Sequence, residues 1–148
     1  MNIIEISDNK KEYLPLLLMG DESEKMIDKY INRGRMFVLF DKEPAGVCVV
    51  TDEGGKILEI KNIAVKESFR HKGCGRKIIE FITDKFKNDY CILQAGTGDS
   101  PLTVPFYEKC GFVRSHSIKN FFTDNYDHPI IENGVKLVDM IYFQKKIR

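Results

Sequence analysis

The chain has 148 residues, 43% of them hydrophobic, and 23 Lys and Arg against 22 Asp and Glu leave a formal net charge of +1. That length suits a single domain over residues 1–148, and the charge balance lacks the basic excess of a dedicated nucleic-acid binder. Ten Phe and six Tyr speak against disorder, no apolar run approaches the ~18 residues of a membrane helix, and MNIIEISDNKK lacks a secretory-signal pattern.

Ile3, Ile4 and Ile6 predict a first strand, closed by Ser7-Asp8-Asn9. Lys11 to Met19 reads as a helix stopped by Gly20. Asp21 then serves as an N-cap with Glu24 as its capping-box partner. Met26, Ile27, Tyr30 and Ile31 follow at helical spacing, and Gly34 ends the run. Met36 to Phe40 and Ala45 to Thr51 are strands flanking a hairpin connection, Asp41-Lys42-Glu43-Pro44. Glu53-Gly54-Gly55 turns the chain into the next strand, Lys56 to Val65. In it Leu58 and Ile60 are apolar on even positions, Ile63 and Val65 on odd ones. The phase slips between Lys61 and Asn62, as one extra residue in a β-bulge would cause. A strand buried on both faces near its end gives the same pattern.

Lys66 to Lys72 is polar and basic, and Gly73-Cys74-Gly75 opens a helix with Ile78, Ile79, Ile82 and Phe86 on one face. Tyr90 to Gln94 is nearly continuously apolar, which predicts a central strand, parallel to Glu59–Val65 across the intervening helix. Gly96 to Ser100 reads as a loop. Ser100 is the expected cap, and Pro101 the first helical residue, of a helix running to Cys110 and stopped by Gly111. Phe112 to Phe122 and Val135 to Lys146 read as long strands around a loop, Thr123 to Gly134. Cys48, Cys74, Cys91 and Cys110 are widely spaced with no CxxC pair. They are expected to be free thiols in a reducing cytoplasm, and no metal site is expected.

Val65 to Lys77 carries the most chemistry. It joins a strand to a helix N-terminus, where unpaired amides carry roughly half a positive charge. Gly73 and Gly75 let an anion approach the main chain, and Arg70, Lys72 and Arg76 add charge around the same point. Such a helix end captures phosphate. A glycine turn among solvated charges is the plainer alternative. The pattern is neither a P-loop nor a GxGxxG dinucleotide loop.

Arg70-His71-Lys72-Gly73-Cys74-Gly75 resembles motif A of the GCN5-related N-acetyltransferases (GNAT), Arg/Gln-x-x-Gly-x-Gly/Ala. Phe106-Tyr107-Glu108-Lys109-Cys110-Gly111-Phe112 resembles the family's motif B, and the order of elements is similar over most of the chain. Residues 124–140 also look like a bacterial subgroup of unsettled substrate. The resemblance implies an α/β fold: a mixed, mostly antiparallel sheet of about seven strands with four helices and a splayed central parallel pair. It implies acetyl-CoA as co-substrate, lying between Glu59–Val65 and Tyr90–Gln94. The pantetheine arm would lie along Ile63, Ala64 and Val65, with Ile63 and Val65 supplying the main-chain bonds, and the pyrophosphate would rest on Arg70, His71, Lys72, Gly73, Cys74, Gly75 and Arg76. Many relatives have an Asn near the start of the motif-B helix. Here Gly98-Asp99-Ser100 stands in that stretch, leaving Asp99 or Ser100 to contact the arm.

The implied reaction is direct acetyl transfer to a primary amine of a small molecule, or of a peptide lysine or N-terminus, in a ternary complex. The Val65 amide would hold the oxyanion and Tyr107 would protonate the leaving thiolate. Glu59 would be the base through water; pairing with Lys61 or Lys56 is its alternative role. Asp21, Glu22, Glu24, Asp124, Asp127 and Glu132 fall on elements that face the acceptor in this fold, which favours a cationic amine. His128 is a further candidate to line that site. Many relatives dimerise, and the long terminal strands offer an edge for a homodimer. A catalytically silent acyl-CoA sensor and a generic phosphate binder are the rival functions. Retention of Glu59 and Tyr107 argues against the first, and the motif-B segment against the second.

Overall fold

The apolar runs fold into nine strands: β1 Asn2–Ile6, β2 Arg35–Phe40, β3 Pro44–Asp52, β4 Ile57–Val65, β5 Ile92–Gly98, β6 Val113–Ile118, β7 Ile131–Glu132, β8 Val135–Lys136 and β9 Met140–Lys146. In the computed structural model, which describes residues 1–148, seven of them form one sheet in the order β1-β2-β3-β4-β5-β9-β6, and β7 and β8 form a separate hairpin. The sheet is antiparallel except at β4–β5, as expected. Five α-helices accompany it rather than four: α1 Leu14–Gly20, α2 Glu24–Asp28, α3 Cys74–Phe86, α4 Val104–Lys109 and α5 Phe121–Asn125. None is long and apolar enough to cross a membrane.

The phase slip in β4 is a bulge. Val49 stands opposite Asn62 and Val50 opposite Ile60, so Lys61 is the extra residue. The insertion puts Leu58, Ile60, Ile63 and Val65 on one face of the sheet. There they pack with Ile78, Ile79, Ile82 and Phe86 of α3, Leu93 and Ala95 of β5, and Phe143 of β9. Ile78, Ile79 and Ile82 are almost fully buried, and each such side chain contributes about 2 kcal/mol relative to exposure. The other face splits in two. Leu16 and Leu17 of α1 and Ile27 of α2 cover β2 and β3, while Phe122, Ile130 and Leu137 form a third, small cluster. That cluster packs on β5 where Gly96 and Gly98 leave room. A Cβ at Gly98 would lie 2.6 Å from the Leu137 methyls, and one at Gly96 2.6 Å from Met140 Sδ.

Several expected boundaries move. Residues Lys10–Tyr13 form a 3₁₀ turn and the α-helix begins around Pro15, whose ring and missing N–H suit only a first turn. Ser23, not Asp21, caps α2, accepting from Met26 N at 3.2 Å. The helix then ends at Asp28, with turns carrying the chain to Gly34. β5 runs on through the expected loop to Gly98. Pro101 lies in a turn, and Pro105 opens α4 instead. The expected strand from Phe112 to Phe122 stops at Ile118, because Asn120 turns left-handed (φ +57°) and α5 follows. The final strand is interrupted, leaving β8 and β9.

Candidate active site

β4 and β5 pair only from Ile57–Ile92 to Ile60–Ala95. Beyond that register β4 continues to Val65 and β5 to Gly98 without bonding each other, so the sheet opens as a wedge. Lys66 N donates to Ala45 O at 2.7 Å. In an antiparallel ladder alternate residues bond the neighbour, so Ala64 also faces β3. Ile63 and Val65, the two residues expected to bond the pantetheine arm, therefore turn their main-chain groups into the gap, while Ala64 beside them bonds β3.

The gap leads to the N-terminus of α3. The first helical bond there runs from Lys77 N to Gly73 O, 3.0 Å, and no side chain caps the end. The amides of Cys74, Gly75 and Arg76 therefore lack helical partners. His71 (φ +62°) and Gly73 (φ +80°) are both left-handed, a backbone that gathers successive N–H groups into an anion nest. The two motif glycines do different work. A Cβ on Gly73 would meet nothing within 4 Å, whereas one on Gly75 would strike Phe106 Cε1 at 2.9 Å. Gly73 leaves the anion's approach open, and Gly75 lets α4 pack against α3. Arg70 folds back, its Nε donating to Val65 O at 3.0 Å. Lys72 lies over the Phe69 ring at 5.7 Å. Arg76 is exposed beside Glu80, 3.4 Å away. Cys74 is buried in the core, so the thiol is turned away from the gap. Next to the loop a cleft of about 400 Å³ is lined by Asp41, Lys42, Glu43, Ser68, Phe69 and Lys72.

Tyr107 reaches the wedge from the opposite wall. Its ring stacks on Phe143 (5.7 Å) and meets Phe106 and Phe112 edge-on. It is only 5% exposed. Burial, then the neighbouring Cys48, Cys110 and Glu132, raise its pKa well above the ordinary phenol value, and no protein group bonds its hydroxyl. Cys48 sits opposite Ile63 in the β3–β4 ladder, so this hydroxyl lies beneath the wedge.

Glu59 is 5% exposed and both of its oxygens are engaged. Oε1 accepts from Gln94 Nε2 at 2.6 Å, and Oε2 pairs with Lys61 Nζ at 2.7 Å. Gln94 accepts in turn from Gln144, at 2.6 Å, making a polar row across three strands. Ser100 is buried, its hydroxyl taking the Leu102 amide (3.1 Å) and facing Glu132 Oε1 at 3.4 Å. Asp99 points away, to Arg114 on β6.

A polar network joins the bulge to α1, the α1–α2 turn and the end of α5. Asn62 Nδ2 donates to Leu17 O (2.9 Å) and to Tyr30 Oη (3.0 Å). Asp21 accepts from Tyr30 (3.2 Å), from Tyr126 beside α5 (2.8 Å) and from Ser23 N (3.3 Å). Asn62 Oδ1 has no partner and packs against Gly20. Burial raises the Asp21 pKa despite these bonds. The phase slip pointed to Asn62; nothing local marks Tyr126, 105 positions from Asp21. Of the other carboxylates, Glu24 is tied to Lys11 at 2.7 Å. His128 sits between Asp127 (2.7 Å) and Glu22 (3.7 Å), and its bond to Asp127 raises its pKa.

β4 and β5 thus frame a wedge closed at one end by an uncapped helix N-terminus. The family model described as "Acetyltransferase (GNAT) domain" matches residues 32–114, and the chain belongs to that family. It is 35% identical over 137 residues to the uncharacterized N-acetyltransferase YvbK of Bacillus subtilis, covering 90% of this chain and 88% of that one. A GNAT acetyltransferase from Elizabethkingia anophelis, solved with acetyl-CoA bound, superposes with TM-score 0.91 at 35% identity, over 98% of this chain and 97% of that one. A Bacillus subtilis acetyltransferase in complex with CoA superposes with TM-score 0.89 at 33% identity, over 98% and 97%.

Proposed function

We propose that the protein, acting as one domain over residues 1–148, transfers acetyl from acetyl-CoA to a primary amine by direct attack in a ternary complex. The observation that carries this is the open β4–β5 wedge running from the free amides of α3 to the unpartnered Tyr107 hydroxyl. Acetyl-CoA-bound and CoA-bound relatives of the same fold support it. The pyrophosphate rests on the amides of residues 74–76, and the cleft beside Phe69 takes the nucleotide end. Ile63 and Val65 bind the pantetheine arm, and the Val65 amide polarises the thioester carbonyl.

Tyr107 keeps its proton, so it donates a hydrogen bond to the leaving sulfur. A thiol with pKa near ~8.5 leaves without full transfer from a phenol that holds its proton more tightly. Glu59 does not touch the acceptor in this scheme; a proton could reach it only through water, since both oxygens are taken. Asp21, Glu22 and Glu132 favour a cationic acceptor such as a polyamine, an aminoglycoside or a lysine side chain. Four unpaired cysteines suit a reducing cytoplasm.

The test is a thiol-release assay with acetyl-CoA against polyamines, aminoglycosides, amino acids and peptides. Saturable, amine-dependent release of CoA is expected from at least one cationic class. Tight acetyl-CoA binding without amine-dependent release would point instead to a silent acyl-CoA sensor.

A further inference from the structure

We propose that Glu132 receives the acceptor's ammonium group and takes its proton before attack, a role that rests on the acetyl-transfer function above. Glu132 is on β7, in the hairpin beside the far end of the wedge. Its Oε1 is 3.4 Å from Ser100 Oγ. Ser100 is 1% exposed, and its carbonyl accepts from Val104 N at 3.1 Å, where α4 begins. Glu132 is near enough to Tyr107 for its charge to help hold that phenol protonated. It is near enough to Glu22 for the two to repel. The carboxylate thus lies between Glu22 of the α1–α2 turn and Ser100 at the approach to α4.

No Lys or Arg pairs with Glu132. Lys136 lies opposite Ile131 in the hairpin, whereas Glu132 faces Val135, so the lysine is on the ribbon's other face. The groups facing Glu132 are Ser100, Tyr107 and Glu22, with His128 and Asp127 beyond Glu22. A half-buried carboxylate with no cation is an unfavourable arrangement that a bound ammonium relieves. Burial raises its pKa, which suits a base working near neutrality. A second pointer is Tyr107, a side chain more than nine-tenths buried whose hydroxyl has no protein partner and which lies close enough to feel the same carboxylate.

R–NH3⁺ gives one proton to the Glu132 carboxylate, and the freed lone pair attacks the thioester carbon. The C–N bond forms and the C–S bond breaks on collapse. A second nitrogen proton goes to the sulfur, hydrogen-bonded by Tyr107, and Glu132 returns its proton to water.

Two CoA thioethers test this by calorimetry without knowledge of the natural acceptor. S-(2-aminoethyl)-CoA carries an ammonium just beyond the sulfur, and S-ethyl-CoA does not. The wild type should prefer the ammonium analogue by about tenfold, the size of one charge-assisted contact. Glu132→Gln should abolish the preference and leave S-ethyl-CoA affinity unchanged, and Glu132→Lys should invert it. No preference in the wild type, or one that survives in Glu132→Gln or Glu132→Lys, overturns the assignment. Failure of the wild type to bind either analogue would overturn the acetyl-CoA function itself, and the Glu132 role with it.

Discussion

Replacing Gly75 with Ala probes how the anion-binding loop is joined to Tyr107. The new Cβ would lie 2.9 Å from Phe106 Cε1 and 3.0 Å from Cζ. Carbon atoms rest at about 3.5–4.0 Å, so the Phe106 ring must move by roughly 0.5–1 Å. Ala regains at most ~1 kcal/mol of helix propensity over Gly, less in a first turn, against about 1–3 kcal/mol for overpacking. A net loss of about 1 kcal/mol is expected. Phe106 precedes Tyr107, and their rings meet edge-on at 5.2 Å, so the shift is passed to the Tyr107 hydroxyl. Misplacement of ~1 Å at a reacting group costs up to about 100-fold in turnover, while acetyl-CoA affinity changes far less because the α3 amides stay in place. Gly73→Ala is the contrast: no clash within the protein, but ~1 kcal/mol of left-handed backbone strain at φ +80° and a methyl in the anion's approach, so acetyl-CoA affinity weakens while turnover at saturation stays near normal. Urea midpoints and steady-state thiol release measure both. Gly75→Ala/Phe106→Leu, which shortens the obstructing ring, should recover much of the stability, with coupling of about 1 kcal/mol. Wild-type stability and turnover in Gly75→Ala, or strict additivity in the cycle, would refute the packing argument.

Tyr107→Phe removes one hydroxyl from the wedge; turnover should fall at least tenfold, about 1.4 kcal/mol, with acetyl-CoA affinity within about threefold by calorimetry. Unchanged turnover would take Tyr107 out of the chemistry. Glu5 should contribute to acid sensitivity: Arg35 binds it through two contacts of 2.8 Å and lowers its pKa. A lowered folded-state pKa stabilises the protein above the unfolded value and is lost as pH falls through the folded value. Glu5→Gln should therefore shrink the loss of unfolding free energy, measured by urea titration, as pH falls through the carboxylate range, by less than ~1 kcal/mol since the pair is largely exposed. An identical pH profile in the variant would remove Glu5 from that account.

Local patterns in the sequence reached the centre of the molecule. The parity change at Lys61 located a bulge that pairing confirms, because side-chain alternation records strand phase directly. The Gly73-Cys74-Gly75 helix start and the Ile78, Ile79, Ile82 and Phe86 face were legible for the same reason. The segment after Gly111 was not. Val113 to Ile118 is exposed along its whole length, so no apolar alternation marked its end, and Asn120 supplies the break through its backbone alone. Gly75 belongs by pattern to an anion-binding loop, but its space is filled by Phe106, 31 residues later, which no local pattern encodes. The Asp21–Tyr126 bond and the Ser100–Glu132 contact likewise join distant segments.

Calorimetric titration of acetyl-CoA into the wild type and Gly73→Glu tests the central claim most directly. The wild type should bind one equivalent, with affinity that weakens as salt rises, since phosphate is held by amides and nearby cations. Gly73→Glu should show no measurable binding while keeping its fold by circular dichroism, because the new carboxylate occupies and repels the anion's place. Undiminished affinity in that variant would contradict a diphosphate seated on the N-terminus of α3.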